Sequence, residues 1–369
     1  MKHLYTSLFL LLTISLSAQI PDGYYDSATG TGAELKTNLS LIISTNINSS
    51  APGASYGDLW TLYTQPAFED NYYDHDGTIV DLYTEKPTLT DVYSFTPISD
   101  QCGSSISGEG DCYNREHIIP KSYFGGTDAY PMYSDAYFVF PSDGYVNGKH
   151  NNYPYGEVGS ATYTSTNGSK LGSGSSSSGY SGTVFEPIDE FKGDVARAYF
   201  YFVTRYESDL INFYDTYTST EVRVMFDGLT FPALNSTFLN ILLTWNTLDP
   251  VSQQERDKNE AIYTFQGNRN PFIDDNSYVT SIWGSPLSIE NFTNLDLKMY
   301  PNPLKGSYLT IDSGKTLQVE IYDILGKQVL KSAIGPKGKT LNVGSLRKGI
   351  YMVRLILENG STTKKLIKN

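Results

Sequence analysis

The sequence predicts an α+β chain built from two modules. The first, over residues 19–283, mixes helices with short strands. The second, over 299–369, is a small all-β immunoglobulin-like sandwich. Three observations carry this. Apolar residues spaced three to four apart occur only in the first module. From residue 299 the chain becomes a series of short alternating runs cut by glycine turns. Charge divides at the same place: residues 294–369 hold 13 Lys+Arg against 5 Asp+Glu, net +8, while 19–293 hold 13 against 35, net −22. Opposite charge in adjoining segments marks separately built modules.

At 369 residues the chain can bury a sizeable core, and with 18% charged residues it is neither a charge-driven disordered chain nor a membrane bundle. Two cysteines exclude a disulfide scaffold and a Cys-based zinc cluster.

Residues 1–18 read as a signal peptide, with Lys2, an apolar run from Leu4 to Leu16, and small Ala18 before Gln19. No later stretch approaches the ~20 apolar residues of a membrane span. Export makes a disulfide between Cys102 and Cys112 an expectation. Helices are predicted over Glu34–Ser44, Asp189–Glu207 and Leu234–Trp245. A fourth opens on the capping box Ser252/Glu255, runs to about Phe265 and stops at Gly267. Thr164–Ser181, a Gly/Ser tract, reads as a surface loop. Residues 284–298 read as a linker. In the last module strands are predicted at Leu309–Ile311, Val319–Tyr322, Val329–Ser332, Thr340–Val343 and Tyr351–Leu357.

The chain has four histidines, and His3 leaves with the signal peptide. His75, His117 and His150 remain, too few for a His-rich metal site. His117 follows Glu116 in CYNREHIIPKSYF. A carboxylate is a hard ligand for Mg²⁺ or Ca²⁺, and a neutral imidazole can take a proton from water. Neighbours in a strand point to opposite faces, so the pair must lie at a strand end or bulge to serve one site. Residues 134–158, SDAYFVFPSDGYVNGKHNNYPYGEV, offer amides. Tyr137–Phe140 is predicted as a strand, with Ser142 capping a helical turn that carries Asn147 toward Asn152. His75, in YDHDGTIVDLY, is expected to be solvated or structural, with ion binding by its acid-rich loop as the alternative.

These segments resemble the endonuclease I family of secreted, non-specific nucleases with a ββα-metal site. The resemblance runs from Pro21-Asp22-Gly23-Tyr24-Tyr25-Asp26 to Ile273. It includes CYNREH, the SDGYVNG..NN segment, GDVARAYFY and ERDKNEAIYTFQGNRNPFID. It implies a phosphodiester hydrolase acting on DNA, with RNA left open, and giving 5′-phosphate products. It implies Glu116 and Asn152 as ligands of one Mg²⁺, with Ca²⁺ or Mn²⁺ as alternatives, and His117 as general base. Arg197 and Asn270 either hold phosphates or tie helices together through buried hydrogen bonds; the second comes first. Some members carry a phosphate-supporting Arg in an insertion that this chain lacks. That duty then falls to Lys121, Lys149, His150 or an Arg elsewhere. The net −22 argues against easy capture of a polyanion.

The segments LKMYPNP, VEIYDILGKQVLK, LRKGIYMVRL and TTKKLIKN resemble the C-terminal sorting domain of type IX secretion substrates. That implies passage through the type IX secretion machinery and a product released or attached to the cell surface. The rival readings are a non-catalytic extracellular adhesin or polymer-binding protein, favoured by acidity and 30 tyrosines, and a phosphodiesterase of small substrates.

Overall fold

The computed structural model describes residues 20–45, 55–103, 105–284, 298–312, 316–323, 327–335, 340–357 and 360–369. The expected signal peptide and most of the expected linker fall outside these. The chain divides into two compact units, Met1–Pro286 and Leu287–Asn369. The class is α+β, as predicted.

The first unit contains α1 (Gly32–Thr45), α2 (Leu59–Leu62), β1 (Tyr113–His117), β2 (Val139–Asp143) and α3 (Gly144–His150). These are followed by β3 (Val158–Thr164), β4 (Lys170–Gly174), β5 (Thr183–Glu186) and α4 (Lys192–Arg205). Then come α5 (Leu210–Thr216), α6 (Ser236–Leu248), α7 (Gln253–Gln266), α8 (Pro271–Asp274) and α9 (Ser277–Trp283). The centre is α4, in which every residue from Lys192 to Thr204 is buried. Helices α1, α6 and α8 pack around it. A helix buried on all sides must satisfy its charges internally. Arg197 does so against Glu255 of α7, and Lys192 against Glu186 at the end of β5.

Three expectations are corrected. The Gly/Ser tract is not a continuous loop: β4 crosses it between two turns and pairs antiparallel with β3 and β5 on either side. Its glycines permit close backbone approach, since a Cβ on Gly172 would lie 2.1 Å from the Ser160 carbonyl oxygen. The strand expected at Tyr137–Phe140 is displaced to Val139–Asp143. The cap of α3 is Asp143 rather than Ser142, because its carboxylate accepts the amides of Tyr145 and Val146 at 2.8 and 2.9 Å. Ser142 instead bonds Asn114. The α7 capping box forms as predicted, and Gly267 ends that helix at φ +90°. Cys102 and Cys112 are joined.

The second unit is all β. Its strands are β6 (Lys298–Tyr300), β7 (Tyr308–Asp312), β8 (Leu317–Asp323), β9 (Gln328–Ile334), β10 (Thr340–Asn342), β11 (Gly349–Leu357) and β12 (Gly360–Lys368). They form sheets of order β10-β7-β6 and β12-β11-β8-β9. Inward residues from both, including Leu309, Ile311, Val319, Ile321, Val353 and Leu366, make one apolar core.

Candidate active site

The site is built on β1, β2 and α3. β1 and β2 pair antiparallel with Glu116 opposite Phe140 and His117 opposite Val139. Glu116 and His117 are therefore the last two residues of β1, at the end of the two-stranded ribbon from which the 118–138 connection leaves. Alternation sends their side chains to different partners.

Glu116 is buried. Its Oε1 meets His150 Nδ1 at the end of α3 and accepts the Tyr83 hydroxyl at 3.2 Å. Tyr83 in turn shares a 2.7 Å hydrogen bond with Tyr155. Both contacts fall on Oε1, so Oε2 carries no protein hydrogen bond among the described residues. His150 is wholly buried, and its second nitrogen faces the Tyr153 carbonyl at 2.9 Å. One imidazole thus fastens α3 and the chain after it to the β1 carboxylate. Asn151 leaves the helix at φ +54°, and Asn152 follows. Asn152 is half-buried, and its amide makes no hydrogen bond to protein among the described residues. Asn147 donates to Asn114 Oδ1 at 2.8 Å, two residues before Glu116 on the same strand.

His117 has a different surrounding. Its Nε2 faces the Tyr133 carbonyl oxygen at 3.0 Å. A carbonyl only accepts, so Nε2 carries the hydrogen and Nδ1 is the bare nitrogen. Tyr56 and Tyr133 stack near-parallel to the ring, with centroids 5.4 and 5.2 Å away. The Arg115 guanidinium lies between Tyr56 and Trp60, 3.6 and 4.1 Å from their centroids, and donates to the Tyr56 carbonyl at 2.6 Å. Burial pulls the His117 pKa down to about 4, and the positive charges of Lys121 and Arg115 push the same way. The imidazole is therefore neutral across the physiological range and able to accept a proton.

Of the expected phosphate contacts, Lys121 is exposed, with Nζ 5.9 Å from the Tyr133 ring. Lys149 lies over Tyr145 and Tyr163 at 4.7 and 5.6 Å. His150 is corrected, while for Arg197 and Asn270 the structure agrees with the helix-tying reading that came first, and the phosphate alternative is set aside. His150 has both nitrogens committed inside the protein. Arg197 is 1% exposed, grips Glu255 through Nε and Nη2 at 2.5 and 2.8 Å, and spends Nη1 on Asn246 and the Asp249 carbonyl. Asn270 caps α8 by accepting the Phe272 amide and donates to the Arg197 carbonyl. Both are structural. Tyr83, Tyr133, Tyr56 and the positioning role of His150 were not anticipated from sequence.

This arrangement offers a hard carboxylate oxygen with a neutral imidazole on the next residue, and the chain segment two residues before Asn152 is tied to that carboxylate through His150. Residues 31–277 match the model of the family described as Endonuclease I, and 298–369 match that of the secretion system C-terminal sorting domain. The chain belongs to the endonuclease I family. An extracellular ribonuclease of Bacillus amyloliquefaciens is 33% identical over 267 residues, covering 70% of this chain and 78% of that protein. An extracellular ribonuclease of Bacillus subtilis (strain 168) is 32% identical over 265 residues, covering 71% and 78%. Endonuclease-1 of Buchnera aphidicola subsp. Acyrthosiphon pisum (strain APS) is 22% identical over 256 residues, covering 64% and 80%. This endonuclease I member is a secreted or cell-surface nuclease whose substrate is nucleic acid. Its sorting domain directs it to the secretion machinery.

Proposed function

We propose that the protein is a non-specific endonuclease cleaving DNA and RNA, with Glu116 and Asn152 holding one Mg²⁺ and His117 acting as general base. The observation that supports this best is the His150 bridge, which ties the end of α3, two residues before Asn152, to Glu116, the residue before His117 with its bare Nδ1. The donor set fits the ion: Glu116 Oε2 and the Asn152 amide oxygen are hard, uncommitted oxygens. When bound there, the ion supplies positive charge to the scissile phosphate and the leaving 3′ oxygen. RNA is included because two relatives are named ribonucleases.

His117 Nδ1 takes a proton from water as the water oxygen bonds to phosphorus and the bond to O3′ breaks. The departing O3′ takes a proton from a second solvent water, so the products are a 5′-phosphate and a 3′-hydroxyl. The Tyr133 carbonyl fixes the tautomer, and Tyr56 and Tyr133 hold the ring plane. Lys121 and Lys149, neither in an ion pair among the described residues, serve the phosphate backbone. Contacts of that kind carry no base sequence information.

The test is cleavage of supercoiled plasmid and of single-stranded RNA by the full chain, with Mg²⁺ and with EDTA. EDTA is expected to abolish both activities. His117→Ala, Glu116→Ala and Asn152→Ala are each expected to lower kcat by at least about 100-fold. A His117→Ala protein that cleaves at the wild-type rate overturns the assignment.

A further inference from the structure

A groove beside the candidate site takes no part in the chemistry above. One wall is the outer face of α1, where Thr37, Ser40, Leu41 and Ser44 recur at helical spacing. The other is formed by residues 130–132 and by the end of α4 with the residues after it. The groove encloses about 690 Å³, within the range of ligand clefts. Its 130–132 edge leads to the general base. Tyr130 lines the groove and is 50% exposed, and its ring meets that of Tyr133 edge-on at 5.8 Å. Tyr133 is the ring stacked on His117, and its carbonyl holds His117 Nε2. Tyr130 is thus one aromatic ring removed from the imidazole.

An exposed tyrosine does not alone indicate a ligand. A second feature of the same groove is Arg205. Its Nη1 donates to Ser44 Oγ at 2.6 Å, which ties the guanidinium to the α1 wall. Arg205 forms no ion pair among the described residues, whereas Arg197 and Arg269 are each gripped by a carboxylate. Glu207, also on the groove, is already taken by Lys36 at 2.8 Å. In a unit of such negative charge, a guanidinium without a carboxylate partner is available to an anion. Asp209 is the remaining acid on the groove, so the groove suits one phosphate with its base rather than a run of phosphates.

We propose that this groove is a subsite for a single-stranded stretch of the nucleic-acid substrate, in which an unpaired base stacks on Tyr130 and its phosphate meets Arg205. The inference rests on the nuclease reading above and names the form of substrate that site takes. A base in a duplex is stacked on its neighbours and must be unpaired before it can lie on a side chain, whereas a single strand presents its bases without that cost. Every base has a π-face, so the subsite selects strandedness and not sequence.

The test uses the full chain with a single-stranded RNA, a single-stranded DNA and a DNA duplex of equal length. Binding is read by fluorescence anisotropy in EDTA, and cleavage in Mg²⁺, on wild type, Y130A, Y130F, L41E and R205Q. Y130A is expected to weaken binding of both single strands at least about tenfold. It should lower the ratio of kcat/KM on single strands to that on duplex by the same factor, through KM. Y130F keeps the ring and stays within about twofold of wild type. L41E puts a negative charge at an exposed position on the groove wall and weakens single-strand binding at least about threefold. R205Q lowers the salt slope of single-strand binding by about 0.7. An unchanged ratio in Y130A, a Y130F as weak as Y130A, or wild-type binding and slope in both L41E and R205Q overturns the proposal. The anisotropy measurements need neither the ion nor His117, so the subsite can fail while the nuclease assignment stands, and the reverse.

Discussion

At the scale of single residues, the candidate site depends on which atoms are already occupied. His150 was expected to meet substrate, but burial and two internal oxygen partners make it the residue that orients Glu116. Partners behind a metal ligand typically matter by 10- to 100-fold. His150→Ala is accordingly expected to lower activity by about 10- to 100-fold and to raise the Mg²⁺ concentration needed for half-maximal rate. A purely structural residue would change stability without moving that concentration. His117 gives a second prediction. An imidazole at its ordinary pKa near 6.5 would be about ten-elevenths protonated at pH 5.5, with about a tenfold loss of base. Burial lowers this one to about 4, so kcat is expected to change less than about twofold between pH 7.5 and 5.5. The effect on stability has a definite sign. The unfolded imidazole binds a proton near 6.5 and the folded one does not until about 4. The His117 contribution is therefore fully present above pH 6.5 and is lost as pH falls between those values. Kinetics in saturating metal and urea unfolding across that range check both statements.

At the scale of elements, buried ionic links hold the helices in place. Glu255 closes the α7 capping box and also grips Arg197 in the middle of α4. Removing one partner of a buried pair leaves the other charged and unpaired, at about 3–5 kcal/mol. Arg197→Ala is expected to destabilise by that amount in urea unfolding, and a wild-type midpoint would contradict the structural reading. What was legible in the sequence follows the same division. The amphipathic helices, the Ser252 cap and the Glu116–His117 pair announce themselves through spacing and residue type within a few positions. The β3–β4–β5 sheet did not, because strands that approach this closely are written in glycines, which also spell loops. Asn152 was singled out through its motif, not through any spacing or residue type that chemistry alone would pick. Tyr56, Tyr83 and Tyr133 were not: each is one of 30 tyrosines and acts only through contacts far away in sequence. Asp143 displaced Ser142 as cap because both residue types suit the position, and only the fold decides which carries the helix amides.

At the scale of the whole molecule, the problem is how so acidic a nuclease meets a polyanion. Net charge over 19–293 is −22, and many of its cations are spent inside. Lys36 pairs with Glu207, Lys192 with Glu186, Arg197 with Glu255 and Arg269 with Asp274. None of these is free to displace counterions from a phosphate backbone. Lys121 and Lys149, of the cations expected to meet phosphate, form no ion pair among the described residues. Each phosphate neutralised contributes about −0.9 to the slope of log affinity against log salt for duplex DNA. Two contacts give a slope near −2, so raising salt from about 50 to 200 mM should raise KM for duplex DNA roughly tenfold. A basic nuclease with six or more contacts would lose about a thousandfold or more over the same range. Lys121→Ala and Lys149→Ala should each reduce the slope by about one and weaken capture evenly across sequences. A measured slope steeper than about −5 would mean that a cationic track outside these two lysines captures the substrate, and the site as drawn would be too small.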